Sequence, residues 1–193
     1  MDLPDNETRD HILQVAEKLF ASRGYAAVKL RDIADAVGMK HASLYYYMPG
    51  GKEQLFIRVF EYSFERHQRG VIQTIKDAGP GIRDQLYAVA YWFLTQPAMS
   101  LDRMQQGDRP KISEEEVQRL SLLAYDALRM PIVEALRRAQ QTDELDLEDF
   151  DLAAMALISL IQSVRSIPGT NKQSRQEIAH QLVDMLLYGW VTR

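Results

Sequence analysis

The sequence predicts an all-α protein, and three observations support this fold class. Apolar residues recur three and four positions apart along most of the 193 residues, which is the spacing of one helix face. Clusters of Gly and Pro divide these periodic stretches into separate segments. No stretch alternates between apolar and polar residues as a half-buried strand does, so we expect no sheet.

Three helices are predicted near the N-terminus, of which the second and third are short. The first runs from about Thr8 to Ser22, because its apolar residues lie at offsets of 0, 3, 4, 7 and 8, and Gly24 follows as a stop signal. The second helix ends before Gly38. The third, from His41 to Tyr47, ends before Pro49-Gly50-Gly51, a sequence that cannot continue a helix. The apolar stripes are Ile12, Val15, Ala16, Leu19 and Phe20 in the first helix and Leu30, Ile33, Ala34 and Val37 in the second.

Longer helices are predicted in the rest of the chain. Ser113 is expected to open one of them, because its S-x-x-E spacing with Glu116 is that of a capping box, and Pro131 should kink or interrupt the same helix. The stretch from Gln96 to Ile112 contains Pro and Gly and should hold a short helix and a flexible connection. The predicted helices are Lys52 to Lys76, Ile82 to Leu94, Ser113 to Gln141, Leu147 to Ile167 and Asn171 to Val191.

The first three helices have the layout of a helix-turn-helix unit, in which a short helix, a Gly-containing turn and a second short helix pack on the helix before them. Gly38 can adopt the positive φ of the turn, and Met39 and Leu44 should anchor the third helix from below. The side chains left exposed are polar, cationic or small, which suits phosphate oxygens and base edges in a major groove about 12 Å wide. These are Lys40, His41, Ala42, Ser43 and Tyr46. We therefore predict a DNA-binding domain over residues 1–52 and a second helical domain over residues 53–193.

The charge distribution favours nucleic-acid binding at the N-terminal end only. The whole chain has a formal charge of -4, which is unfavourable for loose association with nucleic acid. Between Lys18 and Lys52, however, six Lys and Arg residues stand against two Asp residues. The acidic run from Asp143 to Asp151 does not fit an EF-hand loop, and we interpret it as a solvated loop before the next helix.

Three stretches of the N-terminal region resemble the TetR family of bacterial repressors. They are LRDIADAVGM from Leu30 to Met39, ASLYYY from Ala42 to Tyr47 and KEQL from Lys52 to Leu55, and the similarity covers about residues 8 to 56. The resemblance implies a dimeric DNA-binding regulator with an effector pocket in its second domain. It also implies that Arg31 reaches DNA from the edge of the groove and that Lys52 contacts a phosphate. The resemblance and the helix-turn-helix pattern together indicate which residues contact DNA. These candidate residues are Lys29, Arg31, Lys40, His41, Ala42, Ser43, Tyr45, Tyr46, Tyr47 and Lys52.

The sequence departs from the family pattern at three places. Lys29 and Lys40 stand where Ser or Thr commonly caps the second and third helices, so capping must come from another group or be absent. Met48 replaces the usual Phe. Pro49-Gly50-Gly51 is one residue longer than the common spacing before the lysine, which bears directly on the phosphate contact of Lys52.

The middle of the second domain is predicted to hold an effector site. Apolar and aromatic residues cluster around its breaker-rich part, where the helices of a bundle can diverge around a small, largely apolar molecule. Simple core packing is the alternative interpretation of the same cluster. The candidate effector-binding residues are Tyr62, His67, Trp92, Phe93, Met99, Arg103, Met104 and Tyr125.

The last two helices are predicted to form a homodimer interface. Both carry unusually full apolar stripes, and two such helices can pair across a two-fold axis as a four-helix bundle. Burial of these stripes within one subunit is the alternative. The candidate interface residues are Leu157, Leu160, Ile161, Val164, Ile178, Leu182, Met185, Leu186 and Trp190.

Other classes of protein are less well supported. We find no nucleophile and base pair, no phosphate-binding loop and no metal-ligand spacing among the four His residues, so we expect no cofactor and no enzymatic activity. A helical interaction protein with a degenerate DNA-binding unit and an enzyme on an all-helical scaffold remain the alternatives. Without an N-terminal signal pattern or an apolar run of about 18 residues, we expect a cytoplasmic protein that does not enter a membrane.

Overall fold

The computed structural model describes residues 6–96, 112–167 and 172–190, with the side chains of residues 6, 172–174 and 189–190 left out. The described residues form helices and connecting turns, with no strand among them, so the all-α prediction is confirmed. The helices are α1 (Asn6–Ala27), α2 (Leu30–Val37), α3 (His41–Tyr47), α4 (Gly51–Asp77), α5 (Ile82–Thr95), α6 (Glu114–Gln141), α7 (Phe150–Val164) and α8 (Lys172–Trp190). None of the described helices is long and apolar enough to cross a bilayer.

The observed helix bounds follow the local signals in the sequence. Gly24 interrupts the helical geometry of α1 with φ 77° and ψ 161°, as its role as a stop signal predicts, although helical residues resume as far as Ala27. The Ser113 hydroxyl accepts a hydrogen bond from the Glu116 N–H at 3.2 Å and so caps α6. The same helix continues through Pro131, which therefore does not interrupt it. Most of the predicted short helix between Gln96 and Ile112 lies outside the described residues.

Contacts between Cα atoms divide the chain into two units. Among the described residues, the first comprises residues 6–65 and 112–124, and the second comprises residues 66–96, 125–167 and 172–190. The division therefore falls inside α4 and inside α6, whereas the sequence suggested a functional boundary after residue 52. That functional boundary remains a prediction.

The core of the first unit fixes the three N-terminal helices. α1 packs on α2, and α2 packs on α3. An aromatic cluster closes the end of α1, because Phe20 and Tyr25 both meet the ring of Phe56 edge-on, with centroids 5.1 and 4.7 Å away. The wholly buried side chains of the core include Ile12, Ala16, Val28, Ile33, Ala34 and Leu55.

The core of the second unit is built by five helices. α8 packs on both α5 and α7, and the second halves of α4 and α6 add to the same cluster. An ion pair ties α8 to α5 at the surface, because Arg83 donates two hydrogen bonds to the Asp184 carboxylate at 2.9 and 2.8 Å. The wholly buried side chains include Val71, Leu86, Val89, Ile132, Leu136, Leu157, Ile161, Val164 and Val183.

Candidate nucleic-acid interface

Helix α3 is anchored by one face and exposed on the other. Of the two predicted anchors, Leu44 is buried and Met39 is half-buried, and Met48, which was not predicted as an anchor, is buried as well. The residues at the opposite face lie in solvent, so the segment after the turn is not covered by the unit that carries it. The exposed side chains are Lys40, His41, Ala42, Ser43, Tyr45 and Tyr46.

The turn between α2 and α3 depends on Gly38. This residue has φ 80° and ψ 28°, a left-handed conformation that costs a residue with a Cβ extra free energy. The following N–H, that of Met39, donates to the Ala34 carbonyl at 2.9 Å, which closes the end of α2. The prediction that Gly38 reverses the chain is confirmed.

The two lysines at the cap positions leave their ammonium groups in solvent. At the start of α2, the Asp32 carboxylate accepts a hydrogen bond from the Lys29 backbone N–H at 2.8 Å, so an acidic residue inside the helix supplies the cap that Lys29 cannot. The start of α3 has no side-chain cap. Because neither lysine is used for capping, both cations remain available at the surface next to α3.

The aromatic residues of α3 form two edge-to-face pairs. His41 pairs with Tyr45 at a centroid distance of 5.2 Å, and Tyr46 pairs with Tyr47 at 5.4 Å. Tyr45 and Tyr46 are 45% and 55% exposed, whereas Tyr47 is half-buried. Two of the three tyrosines therefore present their rings to solvent, and the His41 ring steadies one of them.

Lys52 is engaged within its own unit. Its Nζ donates to the Ala26 carbonyl at 3.4 Å and lies 4.1 Å from the centroid of the Tyr25 ring. Burial lowers the pKa of Lys52, and the negative charge of Asp32 opposes that shift. A phosphate at this position must therefore compete with the end of α1 for the ammonium group, and the phosphate contact of Lys52 stays a prediction.

The extra residue before Lys52 is accommodated by the backbone. Gly51 begins α4 with φ 70°, and the Gly50 N–H donates to the Gln54 side-chain oxygen at 2.8 Å. The first turn of α4 is thus closed by Gln54. Arg31, the remaining cation of this surface, is exposed and lies 3.8 Å from the Asp35 carboxylate, a surface pair that contributes little to stability.

The candidate effector residues fall into different places. Tyr62 lies in the first unit, where its hydroxyl accepts a hydrogen bond from the Gln14 side chain at 2.8 Å. In the second unit His67 and Phe93 are buried and Trp92 is half-buried. Tyr125 is 40% exposed, and its hydroxyl donates to the sulfur of Met155 at 3.0 Å. Met99, Arg103 and Met104 lie outside the described residues.

A pocket of about 580 Å³ lies in the second unit, and none of the candidate effector residues that the structure describes lines it. It combines apolar side chains with cationic and anionic groups. Two of its lining residues, Gly79 and Pro131, are of the types that the sequence analysis treats as helix breakers. Its lining residues are Gln68, Ile72, Ile75, Lys76, Gly79, Gln85, Met130, Pro131, Glu134 and Arg138.

The candidate interface residues divide into core and surface. Leu157, Ile161 and Val164 have no accessible surface within a single chain, so the prediction that they contact a partner is wrong, because they already fill the core of the second unit. Met185 is 69% exposed, and four others keep part of their surface: Leu160, Ile178, Leu182 and Leu186. The Trp190 side chain lies outside the described residues. Three exposed apolar residues on the same two helices were missed by the sequence analysis: Leu152, Met155 and Tyr188.

Comparison with known proteins finds relatives of the N-terminal region. Residues 12–59 match the family model described as bacterial regulatory proteins, tetR family, and this range contains α2, α3 and most of α1. The N-terminal region of this chain is therefore similar to that of the TetR family. Among curated relatives, the HTH-type transcriptional repressor NicS of Pseudomonas putida is 28% identical over 137 residues, which are 67% of this chain and 63% of NicS. The match therefore spans less than two thirds of that relative.

Solved structures resemble this chain over nearly its full length. The fatty acid degradation regulator FadR from Bacillus halodurans superposes with a TM-score of 0.71 at 19% identity, covering 97% of this chain and 98% of FadR. SmeT in its complex with triclosan superposes with a TM-score of 0.69 at 18% identity, covering 97% of this chain and 93% of SmeT. At these identities the superpositions show that the chain shares the helical fold of these proteins.

Proposed function

We propose that this protein is a transcriptional regulator that binds a pseudo-palindromic operator in double-stranded DNA as a homodimer and is released by a small-molecule effector. The observation that carries the proposal is the open face of α3, where Lys40, His41, Ala42, Ser43, Tyr45 and Tyr46 are all exposed above buried anchors. Its expected place is the cytoplasm, where operator DNA is accessible. Repression is the mode named for NicS, and we infer the same mode here.

The chemistry of the exposed α3 face suits a major groove. His41 and Ser43 can donate hydrogen bonds to base edges or phosphates, and Ala42 leaves room for close approach. Lys29 and Lys40 add positive charge at the two cap positions, and because both are exposed, they can neutralise phosphates without leaving an internal bond. The local excess of basic residues offsets the net negative charge of the chain where DNA would lie.

Dimerisation is supported by the outer faces of α7 and α8. Met185 and Tyr188 are exposed by 69% and 78%, and Leu152 and Met155 are also exposed. Large apolar side chains at this density on two adjacent helices mark an interaction surface, and a two-fold axis would pair each helix with its copy. Two recognition helices would then lie about 34 Å apart, which is one turn of duplex.

Effector control is supported by the family fold. SmeT, which shares this fold, was solved with triclosan bound. An effector that binds more tightly to the arrangement unable to bind DNA would shift the population away from the operator-bound state. α4 contributes residues to both units and is the element through which we infer that coupling.

Selection of bound sequences from random duplex DNA tests the DNA-binding proposal. We expect an inverted repeat with half-sites about one helical turn apart. Because several phosphates are neutralised per dimer, affinity for the selected site should fall by about 10³-fold between 50 and 200 mM salt. A matched duplex with scrambled half-sites is the control. Failure to enrich any inverted repeat, or affinity that does not change with salt, would contradict the proposal.

The double substitution Met185→Glu and Tyr188→Glu is expected to convert the dimer to a monomer. Both side chains are exposed in the single chain, so the subunit should stay folded, whereas charges placed in an apolar interface must be desolvated without partners. Sedimentation velocity measures the mass, and far-UV circular dichroism measures the helix content. Leu122→Glu, at an exposed apolar residue of the first unit, is the matched control and should remain dimeric. A double variant that stays dimeric would place the interface on another surface.

A further inference from the structure

Two buried polar atoms of the second unit have no hydrogen-bond partner among the described residues. His67 on α4 is 5% exposed, and its Nδ1 has no hydrogen-bond partner among the described residues. The indole Nε1 of Trp92 on α5 is buried and also lacks a partner there. The Trp92 ring packs so closely against Gly70, one helical turn after His67, that a Cβ at Gly70 would not fit. The two atoms therefore belong to one region between α4 and α5.

Such atoms are uncommon in a folded core, since buried polar groups are nearly always hydrogen-bonded. The chemistry of the indole restricts what could complete the pair, because Nε1–H donates a hydrogen bond and cannot accept one. A neutral imidazole can also donate from one ring nitrogen. The indole N–H therefore requires an acceptor, and the same acceptor group also suits His67 in the tautomer that carries its proton on Nδ1.

The charges around this region are positive. Arg165, just after α7, donates to the Phe93 and Gln96 carbonyls, the latter at 2.6 Å, which holds its guanidinium at the C-terminal end of α5. Burial, together with the nearby positive charges of Arg66 and Arg165, lowers the pKa of His67 to about 4. His67 is therefore neutral near pH 7, and an anion placed here would be attracted by both guanidinium groups.

We propose that the cluster formed by His67, Trp92 and Arg165 binds the carboxylate of a small organic acid. Trp92 Nε1 and His67 donate hydrogen bonds to the two carboxylate oxygens, and Arg165 supplies the opposing charge. The ring faces of Trp92 and Phe93 contact the apolar body of the acid. This assignment rests on the proposed effector function and refines it, because the effector becomes an acid with an apolar body. A cationic ligand would be repelled by the same guanidinium groups.

Isothermal titration of the full-length dimer, without DNA, tests this assignment. The probes are hexanoate, hexanamide and hexylamine, together with benzoate and benzamide, so that each acid is matched in shape by a neutral analogue. The dissociation constant of at least one acid should be lower than that of its amide by about tenfold or more. Hexylamine should not bind. Trp92→Phe keeps the ring and removes the N–H, and it should weaken binding of the acid about tenfold while changing binding of the amide by less than about threefold.

Tyr91→Phe, at the exposed neighbouring position on α5, is the matched control and should not change any affinity. Thermal unfolding checks that each variant is folded. The assignment is overturned if neither acid is preferred over its amide, or if Trp92→Phe leaves the preference unchanged, in which case bound water satisfies these atoms. Operator binding by the unliganded protein is measured separately. If the protein binds the operator but shows no preference for acids, only this assignment is overturned. If it prefers acids but does not bind an operator, the proposed regulator function is overturned instead.

Discussion

Replacing His41, Ser43 and Tyr45 together with alanine is expected to lower affinity for the selected operator by about 10²- to 10³-fold. The three side chains are exposed on α3, so their removal takes away contacts to DNA and leaves the buried anchors in place. The three positions in two half-sites amount to about six lost contacts per dimer, and a net value of about 0.5–0.7 kcal/mol each, at the low end for a hydrogen bond, gives this change. Fluorescence anisotropy with a labelled operator at fixed salt measures the effect.

Two controls separate a loss of recognition from a loss of structure. The triple variant should unfold within a few degrees of the unmodified protein and sediment as the same dimer, because none of the three residues is buried. Tyr91→Ala, which removes an exposed aromatic residue from α5 in the second unit, should leave operator affinity unchanged. An unchanged affinity of the triple variant would mean that α3 does not read the DNA.

Leu157→Ala is expected to destabilise the protein by about 2–5 kcal/mol, which corresponds to a fall of roughly 10 °C in Tm for a chain of this size. Leu157 has no accessible surface and belongs to the core cluster of the second unit, so truncation leaves a cavity that the packed helices cannot fill. Thermal and urea unfolding at one fixed protein concentration measure the change in the free energy of unfolding.

Leu160→Ala is the matched comparison, because it removes the same side chain from the same helix at a half-buried position. Its effect on the free energy of unfolding should be less than half that of Leu157→Ala. The dissociation constant of the dimer distinguishes a core residue from an interface residue. Of the two leucines, only Leu160 keeps accessible surface that a partner could cover, so only Leu160→Ala should raise this constant directly. If Leu157→Ala weakened the dimer with little change in subunit stability, Leu157 would be an interface residue after all.

The helices were predictable because their boundaries depend on nearby residues. Gly38 closes α2 through its own backbone conformation, and α3 begins and ends at His41 and Tyr47 as predicted, because the turn and the Pro-Gly-Gly sequence bound it on both sides. The anchors of the helix-turn-helix unit follow helical spacing, so the exposed face of α3 could also be inferred. The capping of α2 by Asp32 was not foreseen, although an acidic residue three positions after the cap is a visible signal.

The two apolar helices at the C-terminus show where local pattern is insufficient. Leu157 and Leu152 are both apolar residues of α7, yet one is wholly buried and the other is 63% exposed. Periodicity identifies a stripe, but it does not say whether a neighbouring helix of the same chain or a second subunit covers it. α5 and α8 supply that cover for Leu157, and their packing cannot be read from α7 alone.

By itself, the sequence determined the helical class, the helix-turn-helix unit and the residues on its open face, because these depend on spacing within about ten residues and on the backbone preferences of Gly and Pro. Only the tertiary structure decided which apolar residues are core, that Lys52 is held by the end of α1, and that Arg165 is held at the end of α5. These facts depend on contacts between segments far apart in the chain, and burial and charge at such contacts are set by every helix that meets there.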